Sequence, residues 1–88
     1  MDIVLDCKQI NDKLSLHKTL KTQLNAEEYY GNNLDALWDI LSMYPEELNI
    51  TVMNQADLIN QLNDYAISFF ALLNDLKDEN PKINILFI

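Results

Sequence analysis

The residues able to do chemistry are concentrated in one run, Tyr29-Tyr30-Gly31-Asn32-Asn33-Leu34-Asp35-Ala36-Leu37-Trp38-Asp39-Ile40-Leu41. Asp35 and Asp39 are four positions apart, a spacing that puts both carboxylates on one face of a helix. At about 100° per residue, Leu34, Leu37, Ile40 and Leu41 form an apolar stripe. Trp38 falls at the edge of that stripe, and the two acids lie on the solvent side next to it. Paired carboxylates can serve as acid and base at a scissile bond, or they can pair with the cations of a partner. An exposed acid pair is also ordinary surface, and tryptophan is more often core than contact. The functional reading rests on the surroundings: two tyrosines and an asparagine able to cap the helix precede the pair, and no lysine is near enough to neutralise it.

Other catalytic chemistries lack their parts. His17 is the one histidine, so neither a metal site nor a triad can be built on it, and its place between Leu16 and Lys18 predicts a surface residue. Cys7, the one cysteine, excludes an intrachain disulfide and has no neighbouring His or basic pair to make it a nucleophile. A single glycine excludes phosphate-binding and dinucleotide loops, which need several, and no calcium-loop motif is present. Acids are abundant enough for a two-carboxylate hydrolase, but the basic and polar groups that would bind its substrate are missing. Neither an enzyme nor a cofactor is expected, and no small-molecule substrate.

The charge pattern favours a cationic partner. Six lysines, no arginine and 14 acids give a net charge of −8 on 88 residues. Four of the lysines lie within residues 1–26, and between Lys21 and Lys77 there is no cation at all. The middle of the chain therefore carries an uncompensated negative field, which makes nucleic acid and anionic membrane poor partners and draws in a basic one. Solubility is the alternative reason for such a surface. The first residues, with acids flanking a short apolar run, do not resemble an export signal, and no apolar run is long enough to span a bilayer. A cytoplasmic protein is expected.

The elements that would position the acidic helix can be read from periodicity. Residues 3–5, 48–53 and 83–88 are apolar, β-rich runs that read as strands. Leu16, Leu20 and Leu24 mark a first helix behind the cap Asp12, and Leu34, Leu37, Trp38 and Leu41 a second behind the cap Asn33. Leu58, Ile59 and Leu62 mark a third, and Ala66, Phe69, Leu72, Leu73 and Leu76 a fourth, with Asn63 and Asp64 between them. Helical crossovers between consecutive strands require parallel pairing. The expectation is an α/β fold: one domain over residues 1–88, with a small three-stranded parallel sheet packed against about four helices.

The string Tyr-Tyr-Gly-x-Asn-Leu-Asp-Ala-Leu-Trp-Asp, here from Tyr29 to Asp39 with Asn32 as the variable position, resembles the signature of the barstar-like family of ribonuclease inhibitors. The resemblance is looser elsewhere but covers the whole chain in length and element order. It implies the same fold and a function: an intracellular immunity protein or antitoxin that occludes the active site of a basic, barnase-type ribonuclease in a 1:1 complex. By that resemblance Asp39 takes the place of a substrate phosphate, Asp35 pairs with donors beside it, and Tyr29 packs over the catalytic histidine. Tyr30 belongs to the same loop, Gly31 lets its backbone approach closely, Asn33 orients it and Trp38 flanks the contact. Asp75, late in the fourth helix, aligns with a contact glutamate one methylene longer. Tyr44 stands where the family's best-known member has a second tryptophan, so the rim of the interface differs.

Two other readings compete. A barstar-like chain directed against a different basic toxin or nuclease would share all of these features. The run from Gly31 to Asp35 also resembles the segment around the modified serine of carrier proteins, with Asn33 at the serine position. That reading requires an all-helical fold, so a strand at residues 83–88 discriminates against it.

Overall fold

The computed structural model describes residues 1–26 and 31–88. Among these, the chain runs β1 (Asp2–Asp6), a short 3-10 helix (Cys7–Gln9), α1 (Lys13–Leu24), α2 (Leu34–Ser42), β2 (Leu48–Met53), α3 (Gln55–Leu62), α4 (Asp64–Glu79) and β3 (Ile83–Phe87). The strands form one parallel sheet in the order β1-β2-β3. The α/β arrangement expected from the sequence is the one observed, and three strands exclude an all-helical carrier protein. The 3-10 turn has no periodic signal and was not expected.

Alternation along each strand sets one face of the sheet against the helices. Ile3, Leu5, Leu48, Ile50, Val52 and Ile83 are buried there and meet Leu16, Leu20, Leu37, Leu41, Leu58, Phe69, Leu73 and Leu76 from the four helices. On the opposite face, Asn49 Nδ2 donates to Asp2 Oδ1 at 2.7 Å and Asn84 Nδ2 donates to Asn49 Oδ1 at 3.0 Å. These three residues are in register across the strands, so the ladder fixes the alignment. The outer edge of β1 is closed by Gln23 of α1, whose side-chain amide accepts from Val4 N at 2.9 Å and donates to Val4 O at 2.7 Å.

Local chemistry explains where the helices start and turn. Asp12 caps α1 in a capping box: its carboxylate accepts from Ser15 N at 2.7 Å and Ser15 Oγ accepts from Asp12 N at 3.2 Å. With only one glycine in the chain, the positive-φ positions among the described residues fall to asparagine: Asn25 (φ 59°) and Asn54 (φ 59°) in the left-handed region that asparagine tolerates best after glycine, and Asn63 (φ 51°, ψ −121°) outside it. Asn54 gains an anchor as well, since its Nδ2 donates to Asp6 Oδ1 at 2.9 Å. That bond, then the one from Lys8 N, holds the Asp6 carboxyl below the usual carboxylate value. Asn63 is shared as the end of α3 and the start of α4.

One expectation is overturned. His17 is fully buried rather than on the surface. Its position relative to Leu20 and Leu24 is i, i+3, i+7, so it shares their inward face, and α4 supplies the polar partner that burial requires. Tyr65 Oη lies 2.5 Å from His17 Nε2, and Lys13 Nζ sits 4.5 Å above the Tyr65 ring. Burial, and secondarily the Lys21 charge, holds the imidazole below its ordinary value of about 6.5. The unfolded chain then takes up the proton more readily. The stabilisation is complete above about pH 6.5 and declines as pH falls below it. The melting temperature is accordingly expected to be lower at pH 5.5 than at pH 7.5; equal values would remove the buried neutral imidazole as a source of stability.

Cys7 is buried too, and its thiol is pushed up to about 11 by burial and by the charges of Asp6 and Asp57. It is a packing residue, as its sequence context suggested.

Candidate inhibitory surface

The acidic helix forms as its sequence dictates. Asn33 adopts extended backbone angles and its Oδ1 accepts from Ala36 N at 2.8 Å, while its carbonyl accepts from Leu37 N at 3.1 Å. Leu37 and Leu41 are buried, Leu34 and Ile40 are half-buried against the core, and Trp38 packs on the same core from the stripe's edge. Asp35 and Asp39 are exposed. Asp35 lies in the first turn, where the helix N-terminus offsets part of the repulsion between the two carboxylates.

What spacing cannot reveal is the neighbour of this helix. α4 packs alongside α2, and between them lies an open groove of about 410 Å³ lined by Leu34, Asp35, Trp38, Ser68, Ala71, Leu72 and Asp75. Three of the residues singled out in the sequence, Asp35, Trp38 and Asp75, thus meet around one depression although 40 positions separate the two acids. Asp75 is exposed, and none of the described residues places a hydrogen bond or ion pair on the side chains of Asp35, Asp39 or Asp75. The groove therefore has an apolar floor, an indole edge and carboxylates from both walls. Such a site suits a long cationic side chain, whose methylenes cover the floor while its charge meets the acids.

Gly31 and Asn33 stand at the N-terminal end of α2, and both are exposed. The fold itself does not demand glycine at 31: its φ is not positive, and a methyl group there would lie 3.6 Å from Ala36 Cβ, an ordinary contact. Asp39 is not part of the groove lining; it projects from α2 one turn further along. Tyr44, at the far end, is half-buried and spends its polar groups on the fold. Its hydroxyl donates to Met1 Sδ at 3.4 Å, and its carbonyl accepts from Asn80 Nδ2 at 3.1 Å. Tyr29 and Tyr30 lie outside the described residues.

Sequence reasoning missed Asn80. This buried side chain, at the end of α4, donates to Leu41 O at 3.0 Å as well as to Tyr44 O, and its Oδ1 accepts from Lys82 N at 3.1 Å. It therefore adds a second donor to the Leu41 carbonyl, which already accepts from Tyr44 N at 3.2 Å, and ties the last turn of α2 to the residue that precedes β3. An asparagine before Pro81 gives only a helix-stop signal in the sequence; the bonds to residues 41 and 44 are tertiary.

A three-stranded parallel sheet under an acidic helix with an aromatic-edged groove makes this a small α/β protein, and the chain belongs to the barstar family: the family model described as Barstar (barnase inhibitor) matches residues 1–87. Among curated proteins it is similar to the one described as "Putative ribonuclease inhibitor YrdF" from Bacillus subtilis (strain 168). The two are 31% identical over 78 residues, which cover 88% of this chain and 86% of that protein.

Proposed function

We propose that this chain inhibits a small basic ribonuclease of the barnase type by inserting the carboxylate face of α2 into the enzyme's cationic active site, one inhibitor per enzyme. The reading rests on the grouping of Asp35, Trp38 and Asp75 around one open groove, with the exposed Asp39 beside it. A ribonuclease binds the phosphates of RNA with positively charged groups, and carboxylates held at fixed spacing satisfy those groups without offering a bond to cleave. Asp39 acts as the phosphate substitute, and the groove takes a neighbouring cationic side chain of the enzyme. Gly31 and Asn33 shape the approach on one side, and Tyr29 and Tyr30 belong to the same segment of sequence. The family description and the relative's name, both of which refer to ribonuclease inhibition, support this partner class. Defence of the producing cell is the role such an inhibitor serves.

The charge distribution adds a kinetic component. Between Lys21 and Lys77 the chain has acids only, and that stretch includes all of α2. Its field steers a basic enzyme toward the correct face. The association rate with barnase, measured by stopped-flow fluorescence, is expected to fall at least about tenfold between roughly 10 mM and 0.5 M salt, while the dissociation rate changes much less. A salt-independent association rate would contradict electrostatic docking, and absence of inhibition at any salt would redirect the reading to another basic toxin.

A further inference from the structure

The carboxylate face of α2 continues past the last acid. Asp35, Asp39 and Met43 are at i, i+4 and i+8, which places them within about 80° of one another around the helix and spreads them over about 12 Å along it. Met43 is the residue that ends α2, with φ −107° and ψ 9°. It is 81% exposed, more than any other large apolar side chain among the described residues. Met1, Val4, Leu86 and Ile88 are exposed on the sheet and at its ends, and Leu14, Ile59 and Ile67 on the other three helices. Met43 is the one that shares a face with the acids of α2.

A single exposed apolar side chain needs no explanation in itself. The backbone on which Met43 stands is what distinguishes it. Tyr44 N donates to Leu41 O at 3.2 Å, Asn80 Nδ2 bridges Leu41 O and Tyr44 O, and Lys82 Nζ donates to Pro45 O at 2.7 Å. Both flanks of residue 43 are held by the C-terminal third of the chain, yet its side chain contributes nothing to the core. A buried asparagine and a lysine thus fix the loop on which the Met43 thioether stands exposed, one turn beyond Asp39.

We infer that Met43 is the specificity-determining contact of the inhibitory surface, seated in an apolar hollow of the ribonuclease next to its cationic cleft. The inference rests on the proposed function and divides its labour. Carboxylates recognise any basic nuclease and set the encounter rate, whereas an apolar contact one further turn along rewards only an enzyme with a matching uncharged hollow. A nuclease with a charged group there would have to desolvate it against the thioether, which disfavours that complex. The unbranched, polarisable side chain can adapt to the hollow's shape, and burying it in a fixed setting slows dissociation without altering long-range steering.

The test is the kinetics of complexes with barnase for the wild-type chain, Met43→Ala, Met43→Leu and Asp39→Ala, with melting temperatures measured alongside. Met43→Ala is expected to dissociate about tenfold faster with unchanged association rate, salt dependence and melting temperature, and Met43→Leu to restore most of the lost residence time. If Met43→Ala dissociates like the wild type while Asp39→Ala is strongly impaired, the inference is overturned and the inhibitory function stands. If the wild-type chain itself does not bind, both fall together.

Discussion

Asp39→Ala is expected to lose at least about 2 kcal/mol of inhibitory binding energy, roughly a 30-fold weaker complex, with almost no change in thermal stability. The two halves of this expectation have separate causes. Asp39 is exposed on α2, and no described residue donates to its carboxylate, so the fold loses nothing that water does not replace. Surface substitutions of this kind lie within about 0.5 kcal/mol. In the proposed complex the same carboxylate would be dehydrated opposite the enzyme's phosphate-binding groups, and removing it would leave their charges buried without a counterion. A stability loss comparable to the binding loss would mean that Asp39 works through the helix instead of at the interface.

The converse is expected at Asn80. Asn80→Ala removes three side-chain hydrogen bonds at once: Tyr44 O and Lys82 N lose the partner that Asn80 gives them, and Leu41 O keeps only its bond from Tyr44 N. The residue is 6% exposed, so water cannot replace those partners without opening the junction between α2, α4 and β3. Leaving buried polar groups unpaired costs about 1–3 kcal/mol each, moderated here because Tyr44 O and Lys82 N lie nearer the surface. A total of about 2–3 kcal/mol corresponds to a melting temperature lower by roughly 10 °C in a chain of this size. Because the same bonds hold the loop after α2, the variant should also dissociate faster from the ribonuclease at temperatures where it remains folded. A protein that melts within a degree or two of the wild type would show that the junction is held by apolar packing alone.

These two positions also mark what the sequence could and could not disclose. The strands and helices were legible because each has an unbroken period: the alternation of residues 48–53, the Leu16, Leu20 and Leu24 row, and the stripe of α2 behind Asn33. Parallel pairing followed from the helical crossovers. Asp35, Trp38 and Asp39 were legible as one surface because a helix brings positions four apart together. Asp75 was reached through family resemblance, since no local spacing relates it to Asp35, and the groove that joins them exists only once α4 packs on α2. His17 was misassigned through its neighbours Leu16 and Lys18, although its i+3 and i+7 partners, Leu20 and Leu24, point inward; the buried imidazole depends on Tyr65, 48 positions away. Asn25, Asn54 and Asn63 supply the positive-φ turns that a glycine-poor chain still requires, a use of asparagine that is invisible without the backbone angles.

The most direct measurement is an equimolar titration of the purified chain into barnase, following RNA cleavage at physiological salt, with Asp39→Ala in parallel. Activity that falls linearly to zero at one equivalent of wild-type chain, but persists at one equivalent of Asp39→Ala under sufficiently dilute conditions, is the result expected of an inhibitor that presents a carboxylate in place of phosphate. RNA cleavage unaffected by excess wild-type chain, or abolished equally by both proteins, would contradict it.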